Sequence, residues 1–245
     1  MDFWKRHGYV VFYLAALVVI LIYSVRVLGR VGAGEALPAM AVGTAAPTIV
    51  IDPGHGGADG GAVGISGTRE AGLNLAVSRK LRDILLLCGQ PVVMTRDSDA
   101  ALEDPAADTI SAKKITDTKN RLALIQATPG AVVVSIHQNM FPESRYAGAQ
   151  VFWAAAEGSQ ALAETAQETL REALDPENHR MAKAADSGIY LMRNLTCPGI
   201  LVECGFLSNP AEEELLRQDA YQTRIAAAVA SALLCWQQAQ SAVES

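Results

Sequence analysis

Three apolar stretches of the sequence each lead to a side chain that can bind a metal ion or transfer a proton. The stretch TIVID precedes His55, AVVVSI precedes His137 and GILV precedes Glu203. Apolar runs of this kind are typical of strands that are buried on both faces of a sheet. Taken singly, each histidine is more simply explained as a hydrogen-bonded residue of the core, and the glutamate as a solvated residue at a strand end. Because ligands of open α/β sheets bind at the carboxyl ends of strands, three such ends favour one shared site.

The residue types in this set point to zinc. Two neutral imidazoles and one carboxylate suit zinc and leave a fourth position for water. A metal site that hydrolyses a bond also needs a further carboxylate to move protons. Two glutamates qualify, namely Glu203 in its apolar strand and Glu70 where a glycine-rich loop enters a helix. Their positions in the sequence leave open which one is the ligand and which one is the base.

The roles of the neighbouring residues are less sharply defined by the sequence. Asp52 either orients a metal-binding imidazole or caps the turn that follows it. Ser135 shares a strand face with His137, which favours support of the site or packing over nucleophilic catalysis. Cys204 is a poor candidate nucleophile, because it points to the opposite face of the strand from the glutamate before it. We expect Asn139 at the rim of the cleft.

Strand and helix patterns alternate along the chain. Apolar runs of strand length occupy residues 47–52, 91–95, 131–137, 148–154, 189–193 and 199–204. Helical patterns occur over residues 72–88, 112–127, 158–174 and 219–237. This alternation predicts an α/β fold, with a single domain built on a twisted, mostly parallel sheet of about six strands and helices on both faces.

The amino terminus is predicted to anchor the protein in a membrane. Residues 8–25 carry no charge and are long enough to cross most of a hydrocarbon core. Small residues suited to signal cleavage occur at 39–41, well downstream of the apolar run, which favours an uncleaved anchor over a secretory signal. We therefore predict three parts, which are a signal anchor with one transmembrane helix at 1–30, a linker at 31–46 and a folded catalytic domain at 47–240.

Composition excludes some classes of protein. The chain has 245 residues, of which half are apolar, and its formal net charge is −6. It has no long block of basic residues, so nucleic acid is not an expected partner. The four cysteines are too few and too scattered for a disulfide framework. Their apolar surroundings predict buried thiols, while a Cys197–Cys204 bridge stays open as an alternative.

Three longer blocks resemble one family of enzymes. DPGHGGADGGAVG, SIHQN and LVECGFLSNPAEEELL occur in this order and resemble the zinc-dependent N-acetylmuramoyl-L-alanine amidases of the family-3 type, over essentially all of residues 47–237. The resemblance implies that His55, Glu70 and His137 bind one zinc ion per chain. It also implies that Glu203 is the catalytic acid/base. The turn after the first strand would then present His55 to the metal, and its glycines would keep the rim open for substrate.

Within that family the chain looks most like the membrane-anchored, germination-specific amidases of spore formers. This resemblance implies cleavage of peptidoglycan on the outer side of the cell membrane by a single-pass protein. The implied role is spore cortex maturation through muramic-lactam formation, which germination requires, and an accessory protein of unknown identity is a further partner to consider. Two residues depart from the family pattern, since Gln138 stands where a small residue is usual and Ala71 where a lysine is common. We expect Gln138 to line the cleft and to affect substrate preference.

Two other functions remain as alternatives. The same metal centre would serve another zinc amidase or peptidase of the cell wall that cuts a different amide bond. A wall-binding or regulatory module that has lost catalysis is the alternative from a different class. The complete set of two histidines and two glutamates speaks against such a module, because it has no reason to retain Glu203.

Overall fold

A six-stranded sheet carries the fold of residues 46–243, the part of the chain that the computed structural model describes. Its strands are β1 (Thr48–Pro53), β2 (Val92–Met94), β3 (Ala131–Asn139), β4 (Gln150–Trp153), β5 (Lys183–Ala184) and β6 (Gly199–Phe206). They lie in the order β2-β1-β3-β6-β4-β5. Every neighbouring pair is parallel except β4 with β6, so the sheet is mixed. The predicted α/β class and the number of strands are confirmed.

Helices cover both faces of this sheet. They are α1 (Glu70–Leu87), α2 (Ile110–Gln126), α3 (Ser159–Leu174), α4 (Tyr190–Asn194), α5 (Pro210–Leu216) and α6 (Asp219–Val243). One face packs against α1, α3 and α6 through residues such as Leu81, Leu162 and Val229. The other face packs against α2 and α4 through residues such as Leu122 and Met192. The four helices predicted from the sequence are therefore present as α1, α2, α3 and α6.

The register of the central strands brings the candidate site residues to one edge of the sheet. Asp52 of β1 is paired with Ser135 of β3, and His137 of β3 is paired with Glu203 of β6. Since β1, β3 and β6 are parallel, their carboxyl ends lie at the same edge. The three strand ends converge there, as the sequence predicts.

The sequence pattern was misleading between β4 and β6. A strand is predicted over residues 189–193, but Tyr190–Asn194 forms the short helix α4. A short apolar run does not distinguish a strand from a buried helix, and α4 buries Leu191 and Met192 without joining the sheet. The strand that brings the sheet to six is instead β5, which consists of two exposed residues and has no apolar run that would predict it. The pattern also misses α5, because this helix is only seven residues long.

The predicted anchor at 1–30 and nearly all of the linker at 31–46 lie outside the described residues. No helix within residues 46–243 combines the length and the apolar character that a membrane span requires. The described residues belong to one compact unit that begins at Ala46. The division of the chain into anchor, linker and catalytic domain remains a prediction.

The cysteines differ from the expectation of four buried thiols. All four are free, so Cys197 and Cys204 form no bridge. Cys204 is buried in the sheet and Cys197 is half-buried, but Cys88 and Cys235 are exposed. Cys88 is the C-cap residue of α1, just beyond the last turn of the helix. An apolar sequence neighbourhood does not bury a residue at such a position.

Candidate metal centre

His55 lies in a strained turn immediately after β1. Its φ angle is 61°, and it is the one non-glycine residue among those described that has a positive φ. A non-glycine residue in this conformation costs on the order of 1–3 kcal/mol and persists only where its surroundings hold it. The turn must therefore be fixed by its neighbours.

The first of these neighbours is a buried ion pair. The carboxylate of Asp52 accepts hydrogen bonds from Arg121 Nη1 at 2.8 Å, Thr95 Oγ1 at 2.6 Å and Ser135 Oγ at 2.7 Å. Burial would raise the pKa of Asp52, but the charge of Arg121 and these hydrogen bonds outweigh burial and lower it to about 2. Arg121 Nη2 also donates to the carbonyl oxygen of His55 at 2.6 Å. Asp52 thus supports the His55 backbone through Arg121, and the idea that it orients an imidazole directly is wrong.

A second buried arginine joins the turn to the first helix. Arg96 Nε donates to the carbonyl oxygen of Pro53, and Arg96 Nη2 donates to those of Gly54 and Ala71, each at 2.9 Å. Burial, together with the nearby charge of Arg121, lowers the pKa of Arg96 to about 10, so it remains a cation at neutral pH. Because Ala71 follows Glu70 in the first turn of α1, this guanidinium links two of the predicted ligand segments.

Asp59 makes the contact with the His55 ring that was one of the two alternatives predicted for Asp52. Its Oδ2 lies 2.8 Å from His55 Nδ1, and its Oδ1 lies 2.8 Å from Lys114 Nζ. Metal-binding histidines usually donate their second ring N–H to a carboxylate, which fixes the ring orientation. A carboxylate four residues after the histidine in the same loop is the sequence signal that could have predicted this contact.

Glu70 stands at the first position of α1 and lies between the two histidines. Its Oε2 is 3.2 Å from His55 Nε2, and its Oε1 is 3.0 Å from His137 Nδ1. Backbone N–H groups of Ala62 and Gln138 donate to the same carboxylate. Burial alone would raise the pKa of Glu70, but the two histidines hold it well below its ordinary value.

These three side chains form a set that can hold a metal ion. One candidate ligand atom each from His55, Glu70 and His137 lies within 4.8 Å of the others. Two imidazoles and one carboxylate match the ligand types of catalytic zinc sites, in which a fourth position stays open for water or substrate. The donor set therefore fits zinc.

Two glycines make this close approach sterically feasible. A Cβ atom on Gly54 would lie 2.2 Å from His137 Cε1, and one on Gly61 would lie 2.5 Å from Glu70 Oε2. Gly61 also has a φ of 67°, which is unfavourable for other residues. At these two positions the missing side chain makes room for the candidate ligands themselves.

Glu203 lies beside this set, since it is paired with His137 across β3 and β6. Its Oε2 is buried without a partner among residues 46–243. Burial raises the pKa of Glu203 to about 7; the negative charge of Glu70 adds to the effect, while His137 and His55 oppose it. A carboxyl group of this kind is suited to gain and lose a proton near neutral pH.

A cleft of about 430 Å³ opens over His55, His137 and Glu203. Its walls include Lys114 from α2 and Tyr190 from α4.

Two residues that the sequence analysis assigned to the cleft lie elsewhere. The side chain of Gln138 is buried, with the residue 3% exposed, and it bonds to Asn74 of α1. Successive strand residues point to opposite faces, so Gln138 faces α1 while His137 faces the cleft. Asn139, expected at the rim, is not among the residues that line the cleft in the described structure.

Comparison with known proteins gives a consistent result. Residues 49–235 match the model of a family described as N-acetylmuramoyl-L-alanine amidase. The germination-specific N-acetylmuramoyl-L-alanine amidase of Bacillus subtilis is 40% identical over 187 residues, which are 76% of this chain and 78% of that protein. The N-acetylmuramoyl-L-alanine amidase AmiA of Escherichia coli is 26% identical over 231 residues, covering 77% of this chain and 75% of that protein.

Solved structures show the same relationship. The CwlD amidase from Clostridioides difficile, determined in complex with the GerS lipoprotein, matches with a TM-score of 0.76 and 37% identity over 79% of this chain and 99% of that chain. The catalytic domain of CwlV, an N-acetylmuramoyl-L-alanine amidase from Bacillus (Paenibacillus) polymyxa, matches with a TM-score of 0.63 and 30% identity, covering 76% and 96% of the two chains.

The buried pair of Asp52 and Arg121 generates a prediction about stability. We expect Asp52→Asn to lower the free energy of unfolding at pH 7 by about 3 kcal/mol, because it removes one charge of a buried pair. The pKa of Asp52 is about 2 in the folded protein and 3.8 in the unfolded chain. The stabilisation by its ionised carboxylate is therefore complete above about pH 4. It is lost as the pH falls towards 2, so the variant and the wild type should converge there in urea titrations.

The exposed pair of Glu143 and Arg145, with side chains 51% and 75% exposed, supplies the control. Glu143→Gln should change the free energy of unfolding by less than about 1 kcal/mol, because solvent screens an exposed pair. An Asp52→Asn variant as stable as this control at pH 7 would contradict the role assigned to the buried pair.

Proposed function

This chain belongs to the N-acetylmuramoyl-L-alanine amidase family and is an enzyme of that class, and we propose that it cuts its amide bond with a zinc ion held by His55, Glu70 and His137. The bond is the one between N-acetylmuramic acid and L-alanine in peptidoglycan. The observation that carries the proposal is the convergence of the Glu70 carboxylate with the two imidazoles, which line the cleft. We propose one zinc ion per chain.

The residues divide into three roles in this proposal. His55, Glu70 and His137 would hold the ion, which when bound polarises the scissile carbonyl and activates water. Asp59 holds the His55 ring so that Nε2 faces the site. Glu203 is the acid/base, because it lines the cleft with the two histidines and its Oε2 has no hydrogen-bonding partner within residues 46–243.

In this proposal Glu203 transfers a proton in two consecutive steps. Its carboxylate takes a proton from the attacking water as the new carbon–oxygen bond forms at the lactyl carbonyl. It then gives that proton to the nitrogen of L-alanine as the carbon–nitrogen bond breaks. The products are a free lactyl carboxylate on the muramic acid and a peptide with a free amino group.

We propose that the biological role is maturation of the spore cortex through muramic-lactam formation, which germination requires. The similarity to a germination-specific amidase of Bacillus subtilis supports this role. An accessory protein belongs to the proposal as well. Its support is that the similar CwlD amidase was determined in complex with a lipoprotein.

We also propose that residues 1–30 keep the protein in the cell membrane with its catalytic domain on the outer side. The support is the uncharged run at 8–25 and the distance from that run to small residues suited to cleavage. The proposed substrate, peptidoglycan, lies on that side of the membrane.

Product analysis tests the reaction. Purified peptidoglycan digested with residues 46–245 should release peptides that begin with a free L-alanine amino group, identified by mass spectrometry. A chelator should abolish their release, and added zinc should restore it. Cleavage at another amide bond would favour the alternative of a different wall amidase or peptidase. Binding to peptidoglycan without any cleavage would favour a wall-binding module.

The two glutamates are separated by measuring zinc content beside turnover. Glu203→Gln should keep its zinc and lose activity about a hundred- to ten-thousand-fold, because it removes proton transfer and leaves the ligands in place. Glu70→Gln should weaken zinc retention, and excess zinc should restore part of its activity. Glu143→Gln is the control, because the Glu143 side chain is 51% exposed, and this variant should keep its zinc and its turnover. Loss of zinc from Glu203→Gln but not from Glu70→Gln would reverse the two assignments.

Amino-terminal sequencing tests the anchor. Protein isolated from the membrane fraction should still contain residues 8–25, since no cleavage is expected. A chain that lacks residues 1–30 should leave the membrane fraction and serves as the control. A mature protein that starts near Val42 would contradict the anchor and indicate a secreted enzyme.

A further inference from the structure

Asn74 is a polar residue in the core beneath the candidate metal centre, and no step of the proposed reaction uses it. It lies one turn after Glu70 on α1 and is 0% exposed. Its Nδ2 donates to Glu70 Oε1 at 3.2 Å and to the carbonyl oxygen of Gly54 at 3.1 Å. Its Oδ1 accepts a hydrogen bond from Gln138 Nε2 at 3.2 Å. A buried amide is costly unless it is bonded in this way.

Each of these contacts reaches a different ligand segment. Gly54 precedes His55 in the turn after β1, and Gln138 follows His137 on β3. The third contact goes to the Glu70 carboxylate itself. One side chain therefore joins three parts of the chain that are far apart in sequence and that carry the three candidate ligands.

We propose that Asn74 is a positioning residue that sets the geometry of His55, Glu70 and His137 for the metal. This inference rests on the zinc site proposed above. Its amide holds Glu70 Oε1 from below while the backbone N–H of Ala62 holds Oε2. A carboxylate fixed in this way loses little freedom when it binds an ion. Partners of this kind commonly change metal affinity 10–100-fold when they are removed.

Gln138 supports the same arrangement from the opposite side. Because Asn74 Oδ1 accepts from Gln138, the Nδ2 group of Asn74 is directed towards Glu70 and Gly54. The Oε1 of Gln138 is buried without a hydrogen-bonding partner among the described residues. This position makes Gln138 part of the support beneath the metal centre, where it does not contact substrate.

The test compares two buried polar residues on the same face of α1. Ser78 lies one turn beyond Asn74, is also 0% exposed, and its hydroxyl has no hydrogen-bonding partner among residues 46–243. Asn74→Ala and the volume-filling Asn74→Leu remove the amide, and Ser78→Ala is the matched control. The full chain is purified in detergent, its zinc dissociation constant is measured by competition with a chromophoric chelator, and its unfolding is followed in urea without zinc.

We expect both Asn74 variants to bind zinc 10–100-fold more weakly and Ser78→Ala to stay within twofold of the wild type. At saturating zinc the Asn74 variants should recover most of their turnover, because Asn74 acts on the ligands and not on the substrate. Gln138→Ala should weaken zinc binding less, and should add little in the Asn74→Ala background, because both act through one contact.

Three results would overturn the inference. The first is a zinc dissociation constant within twofold of the wild type for both Asn74 variants. The second is an equal loss of affinity in Ser78→Ala, which would mean that any change in this part of α1 has the effect. The third is failure of both Asn74 variants to fold, which would assign the residue to stability of the domain. A wild-type chain that binds no zinc contradicts the proposed function itself, and the inference with it.

Discussion

The buried contact between Arg121 and Asp52 is the interaction on which the candidate site depends. It places a cation within hydrogen-bonding distance of the His55 carbonyl, where the backbone has a strained positive φ. A cation without a counter-ion would not be stable at this depth, and the carboxylate supplies that counter-ion. The buried pair below the cleft thus offsets the strain of the His55 backbone, and it leaves the imidazole free to face the candidate site.

The other two ligand segments are tied to this turn through polar groups of the core. Arg96 bonds to the backbone of both the turn and α1, and Asn74 bonds to the turn, to Glu70 and to Gln138. Buried polar groups that are fully bonded specify one arrangement, because each lost partner is costly in a low dielectric. The three candidate ligand side chains are therefore held in place by the fold itself, which is the property that the proposed metal site needs.

The sequence alone predicted the strands that matter for the site, since β1, β3 and β6 are buried on both faces and their apolar runs are unmistakable. It was less successful where burial is partial. The short apolar run at 189–193 is a helix, and β5 has no apolar signal at all. Gln138 was expected in the cleft, although strand alternation from His137 already points it to the other face.

Local residue types determined which chemistry was available, namely two imidazoles, two carboxylates and the glycines beside them. The resemblance to a family then separated the two glutamates, which spacing could not do. Only the tertiary structure decided which partner each group has. Asp59 contacts the His55 ring, Asp52 pairs with Arg121, and Glu203 Oε2 has no hydrogen-bonding partner within the described part of the chain. The reason is physical, because the pKa and the orientation of a buried group depend on neighbours that are distant in sequence and become adjacent only when the chain folds.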